Sequence, residues 1–167
     1  GLFGINASAT KANAGKAVPG AWTEGHGTAG AFIGAIDNAT IIVAGGSDFL
    51  DARPWEGGRK TFLNNIWILK NTKEGWSASE LQGTTLPFGV SNGCSVVVGK
   101  SLLCFGGITA EGPSDKVIRL DYTGTSVSVK EAGQLPEGFR PAAAVVSKGN
   151  IYVHGTVNGK NALYQLT

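Results

Sequence analysis

The sequence predicts an all-β fold, on three observations: short apolar runs that end at glycine and recur, turn residues spaced evenly between them, and no useful stretch of helical periodicity. The runs are "IIVAGG" from Ile41, "LLCFGG" from Leu102 and "IYVHGT" from Ile151. Because the same motifs flank each run in the same order, the chain reads as one unit repeated, not as unrelated hairpins.

The elements can be justified in turn. Each run is preceded by a strand of small and apolar residues and a turn: "AGAFIGAIDN", "GCSVVVGK" and "AAAVVSKGN". Each is followed by a third strand, "NNIWILK" from Asn64, "DKVIRLD" from Asp115 and "NALYQLT" from Asn161. Behind the first two comes a more polar fourth strand, "GWSASELQ" and "SVSVKEAG", and then a turn, "LPFGV" or "LPEGF". Trp67, Trp76 and Tyr164 occupy repeat positions and are expected in the core, as is His154, which stands where the other copies have Ala44 and Phe105.

Four antiparallel strands in a unit of roughly 50 residues, with glycines closing the second strand and an aromatic in the third, are the marks of a kelch-type β-propeller blade. The blades fall at 28–82, 91–133 and, in part, 141–167, behind an outer strand within 1–14 and a "VPGAW" that matches the later turns. Inner strands crowd round a channel, so Gly45, Gly106 and Gly155 are expected there, where a Cβ would not fit. Propellers have roughly four to eight blades, so three blades' worth predicts a second copy or a complementary half-propeller chain.

Composition narrows the classes. With 167 residues, 42% apolar and 16% charged, the chain is suited to one folded domain. A net charge of +2 without a lysine or arginine run argues against nucleic acid as a partner. No apolar run nears the roughly 18 residues of a membrane span, and no signal-peptide pattern is visible, so no membrane association is expected. Cys94 and Cys104 flank a two-residue turn at Gly99 and Lys100, where facing residues sum to 199; these two therefore point to opposite faces, and no bridge is expected.

One loop breaks the repeat. "DARPWEGGRKTF", residues 51 to 62, gathers charge and a tryptophan among glycines in one copy only, which marks it as a place for chemistry. With its surroundings, "GAFIGAIDNATIIVAGGSDFLDARPWEGGRKTFLNNIWILKN" followed by "LPFGVSNGCSVVVGKSLLCFGG", it resembles the cyclically permuted mutarotases, the relatives of sialic acid mutarotase (N-acetylneuraminate epimerase). The similarity runs from about Gly30 to Leu135, and its most specific part is "PWEGGRK". The resemblance implies a six-bladed kelch ring of which this chain is one half, interconversion of the α and β anomers of N-acetylneuraminate, no metal or cofactor, and a periplasmic or secreted location with the cytoplasm as alternative. The family's glutamate lands on Glu56.

The residue types suit that reaction. Mutarotation of a keto-sugar acid opens and recloses a hemiketal: a base takes the anomeric hydroxyl proton and an acid protonates the ring oxygen. The neighbouring carboxylate calls for a cation, best a planar arginine fork. Glu56 is the candidate for proton transfer, Arg53, Arg59 and Lys60 for the anion, and Trp55 for an apolar wall. The loop is expected to meet "LPEGFRPA", which adds Arg140 to the sugar-acid ligand's contacts. Asp48 and Asp51 are the second-choice bases, and His26 is a further channel-face candidate. The rival reading is a non-catalytic kelch module that binds a protein or glycan through the same loops.

Overall fold

The computed structural model describes residues 22, 27–50 and 52–166, and within them the protein is all-β with no α-helix. The expected outer strand, the "VPGAW" turn apart from Trp22, His26 and Asp51 lie outside the described residues.

Three antiparallel sheets follow one another along the chain. The first joins β1 (Phe32–Asp37), β2 (Thr40–Ala44), β5 (Asn65–Thr72) and β6 (Gly75–Thr85) in the order β1-β2-β5-β6. The second joins β7 (Cys94–Val98), β8 (Ser101–Phe105), β11 (Lys116–Tyr122) and β12 (Val127–Gln134) in the same sequential order. The third holds β13 (Phe139–Ser147), β14 (Asn150–Val157) and β15 (Lys160–Leu166). The small ribbons β3 (Ser47–Asp48) with β4 (Thr61–Phe62), and β9 (Ile108–Thr109) with β10 (Gly112–Pro113), interrupt the link between second and third strands in the first two sheets.

Turn chemistry sets the registers. Val157 faces Lys160 across Asn158 and Gly159, both with positive φ (51° and 76°), the primed turn that Asn-Gly favours because its twist matches that of the strands. Between β1 and β2 the turn is closed by the Asp37 carboxylate, which accepts the Ala39 N–H at 2.8 Å.

The sheets stack face to face, and the pleat sorts side chains between the layers. Along β2, Ile42 and Ala44 point into a core shared with Leu102, Cys104, Ile118 and Leu120 of the second sheet, while Val43 joins Trp67 and Leu69 on the opposite face. Along β8, Leu102 and Cys104 face the first sheet, whereas Phe105, with Val117 of β11, faces Phe139 and Val153 of the third. A middle strand buried on both faces needs apolar residues without alternation, which is why "LLCF" reads as it does. Each fully buried Leu, Ile or Phe contributes about 1.5–3 kcal/mol. Trp67 meets Trp22 at a tilt of 52° with ring centroids 5.0 Å apart, and Tyr164 meets Phe139 edge-on at 4.8 Å.

Ser95 faces Cys104, so the two cysteines do sit on opposite faces, Cys94 toward the third sheet and Cys104 toward the first, and both are free thiols. Burial pushes the Cys94 thiol up to about 11 and the Cys104 thiol higher still.

The first strands of successive sheets lie side by side. The Ser95 hydroxyl on β7 donates to the Ile33 carbonyl of β1 at 3.1 Å, and β7 packs in turn against β13.

Two expectations need correction. Gly45 and Gly106 lie just beyond β2 and β8 and not within a strand; only Gly155 is inside one. What they serve is a sharp exit from the strand at positive φ (74° and 61°), pressed against the next connection: a Cβ on Gly45 would fall 2.7 Å from the Val90 carbonyl oxygen. His154 is exposed and not packed, because it points from the face of the third sheet that no other described sheet covers. On that face Val145 is 58% and Leu163 65% exposed.

Candidate functional site

At one end of the stack the chain leaves each second strand through a ribbon, and that ribbon leans on the connection entering the next sheet. Leu63 N–H donates to the Gly46 carbonyl (2.9 Å), Gly46 N–H to Val90 (2.8 Å) and Val90 N–H to Leu63 (3.1 Å), tying the β3–β4 ribbon to the "LPFGV" turn. The fit is tight: a Cβ on Gly89 would lie 2.2 Å from the Phe62 carbonyl oxygen. The β9–β10 ribbon is fixed through Ser91, whose N–H donates to Ile108 (3.0 Å) and whose carbonyl accepts from it (2.7 Å). Thr109 closes its tip, the hydroxyl accepting the Glu111 N–H at 3.2 Å and donating to the Gly112 carbonyl at 2.8 Å.

These three pieces enclose a hollow of about 920 Å³. Leu50, Arg59, Lys60, Thr61 and Phe62 form one wall, Phe88 and Gly89 the next, and Ala110 and Glu111 the third. The Lys60 ammonium stands 5.6 Å from the centre of the Phe62 ring, a cation against an aromatic face. The hollow thus offers two cations, two aromatic surfaces and one carboxylate.

The remaining candidates from the long loop are not among its lining residues. Arg53, Trp55 and Glu56 occupy the exposed loop tip, a 3-10 turn over Pro54–Glu56, and Trp55 is 79% exposed. The tip folds back through its glycines: Gly57 takes φ 82°, and a Cβ on Gly58 would meet the Ala52 carbonyl oxygen at 1.9 Å, so "EGG" has a structural reason independent of any ligand. The apolar walls of the hollow are Phe62 and Phe88, not Trp55. Asp48 is committed to backbone, accepting the Gly27 N–H at 2.7 Å and its neighbour Phe49 N–H at 2.8 Å.

Arg140 is elsewhere. It lines a smaller hollow of about 130 Å³ with Asn92, Ile108 and Ser114. Each second-to-third-strand loop reaches the connection entering the very next sheet, so the 46–64 loop meets Leu86 to Ser91, and it is the 107–114 loop that meets Arg140 and Pro141. Sequence reasoning missed Phe62, Phe88 and Glu111. The signal for Glu111 was present: "ITAEGPSD" occupies in the second repeat the place the long loop occupies in the first.

Charge is distributed unevenly. At the opposite end of the stack Asp37 pairs with Lys100 (3.8 Å), and Asp121 takes the Arg119 Nε at 2.8 Å, Lys130 at 3.7 Å and the Ser101 hydroxyl. The Ala39 N–H and Thr40 hydroxyl, ahead of Lys100, hold the Asp37 carboxyl below its usual value. Partial burial pushes Asp121 up, but Ser101, Arg119 and Lys130 together hold it below. Among the described residues, no group of three His, Cys, Asp or Glu side chains is placed to hold a metal ion. No protein-family model and no curated protein matches the chain.

Proposed function

We propose that the chain is half of a six-bladed kelch-type propeller that acts as a sugar mutarotase, interconverting the anomers of an acidic sugar such as N-acetylneuraminate by general acid–base ring opening. The observation that carries this reading is the hollow that sets Arg59 and Lys60 beside Phe62 and Phe88: cations for a carboxylate and apolar faces for a sugar ring. In support of the propeller are the sequential four-stranded sheets, their face-to-face stacking, and first strands lying side by side. The ring is completed by a second copy or a complementary chain, which covers Val145 and Leu163. A periplasmic or secreted location goes with this reading.

Glu56 is the proton-transfer group of the reading; it stands on the exposed tip of the loop whose base supplies the two cations, outside the lining of the hollow. The test is an NMR time course of freshly dissolved α-N-acetylneuraminate with wild type and Glu56→Gln at equal concentration. Wild type speeds relaxation over buffer, and the substitution costs roughly 10²- to 10⁴-fold. Should wild type relax neither this sugar nor other keto-sugar acids, the enzyme reading is lost. The second reading is a non-catalytic kelch module gripping a protein or glycan, and the exposed Trp55 on the same loop tip as Arg53 supports it, since tryptophan and arginine are the residue types enriched at binding hot spots.

A further inference from the structure

The hollow has a polarity that the anion-binding role of Arg59 and Lys60 leaves unused. On another wall of the hollow, carried by the second ribbon, stands the exposed Glu111, its carboxylate 3.5 Å from the Thr109 hydroxyl; the ribbon fixes its backbone, since Gly107 takes φ 98° with no room for a Cβ beside Val90, Ile108 is bonded both ways to Ser91, and Thr109 fastens the tip. An anion pocket alone has no use for a carboxylate on its wall, since like charge lowers affinity for the ligand. A carboxylate there accepts hydrogen bonds, and the donors it suits on a ring acid are hydroxyls.

We infer that Glu111 is a specificity-determining residue of this hollow, selecting a polyhydroxylated acid: a ligand whose carboxylate meets Arg59 and Lys60 at one side and whose hydroxyl groups donate to Glu111 at the other. This rests on the reading of the hollow as the ligand site. It concerns binding, so it stands or falls separately from the mutarotase chemistry.

The experiment compares two probes by ligand-detected NMR titration: N-acetylneuraminate, and cyclohexanecarboxylate, which offers a carboxylate and a ring without hydroxyls. Glu111→Ala weakens N-acetylneuraminate roughly 10- to 100-fold, the scale of a lost charge-assisted contact. The same substitution leaves cyclohexanecarboxylate unchanged or binds it more tightly, since a repelling charge has gone. Opposite effects on the two probes separate recognition from damage to the ribbon, which would weaken both; circular dichroism checks that the variant is folded. Arg59→Ala weakens both probes. Equal binding of N-acetylneuraminate by wild type and Glu111→Ala overturns the inference while leaving the mutarotase reading to its own time course. Parallel weakening of both probes by Glu111→Ala overturns it as well, and so does a wild type that binds neither.

Discussion

At the end of the stack that holds the turns at 38–39 and 99–100, aspartates are met by lysine, arginine and serine; at the other end, Arg59, Lys60 and Glu111 line an open hollow. Both ends are made by the same repeat. The turn end gains from short loops and neutralised charge, which help three sheets stack in register. The ribbon end keeps charges of both signs on the lining of an open hollow, where exposed charges add little to stability. Within the ribbon end a second contrast appears: residues 49–60 lie between β3 and β4, while only Ala110 and Glu111 lie between β9 and β10. The long loop is therefore an elaboration of a ribbon the fold already has.

The sharpest way to break the comparison is to make the two ribbons alike. Replacing residues 49–60 with the two-residue Ala-Glu tip of the second ribbon should leave the fold intact, with an unchanged far-ultraviolet circular dichroism spectrum, because β3, β4 and the backbone bonds at Gly46, Leu63 and Val90 are kept. Binding of N-acetylneuraminate should fall by roughly 10²-fold or more, the loss of two charge-assisted contacts. A shortened protein that binds as before would place the ligand away from the hollow.

Next in size is a contrast between two glycines of the ribbon end. Gly89 lies against the Phe62 backbone, so Gly89→Ala must push two pieces of main chain apart and should cost about 1–3 kcal/mol or more. Gly57 sits at φ 82° on the exposed tip, where an added Cβ would meet nothing within 4 Å; Gly57→Ala should cost only the left-handed strain of about 1–2 kcal/mol, lessened as the tip relaxes. Urea unfolding midpoints measure both; equal costs would mean that the hollow's walls are no firmer than the loop tip.

What was legible in the sequence follows the same division. The strand order could be read from "IIVAGG", "LLCFGG" and the Asn158-Gly159 turn, because repeated period-two patterns and turn residues are local signals. The faces of Cys94 and Cys104 followed from one turn length. The site was only partly legible. Arg59 and Lys60, singled out from their loop, line the hollow, whereas Phe62 and Phe88 read as ordinary apolar residues and Glu111 as a turn acid, since lining a hollow is a property of how ribbons from two repeats meet. Arg140 lines a different hollow from the one beside the long loop for the same reason: the step from one sheet to the next is a three-dimensional relation that no run of residues spells out. His154 read as packed because the repeat put it in an inner row, and whether that row is covered depends on a neighbour outside the chain's own described sheets.

The smallest effect tests the turn end. Asp121 is held below the usual aspartate value of 3.8 in the folded chain, chiefly against the upward push of burial by Ser101 and Arg119. A carboxyl lowered by folding stabilises the protein above the unfolded value, and that contribution is lost as pH falls through the lower folded value. Stability should therefore hold from neutral pH to about pH 4 and then decline, with Asp37, lowered in the same direction, adding to the slope. Asp121→Asn removes one share of this: at neutral pH it should cost under about 1 kcal/mol, as for a largely solvent-screened pair, and the gap from wild type should close as the pH falls through the lowered folded value. Urea midpoints at several pH values measure the closure, and N-acetylneuraminate titrations of the same variant should match wild type. A change in ligand binding at Asp121, on the far side of the stack from the hollow, would show that the two ends are coupled and that the division of charge between them is not one of structure against function.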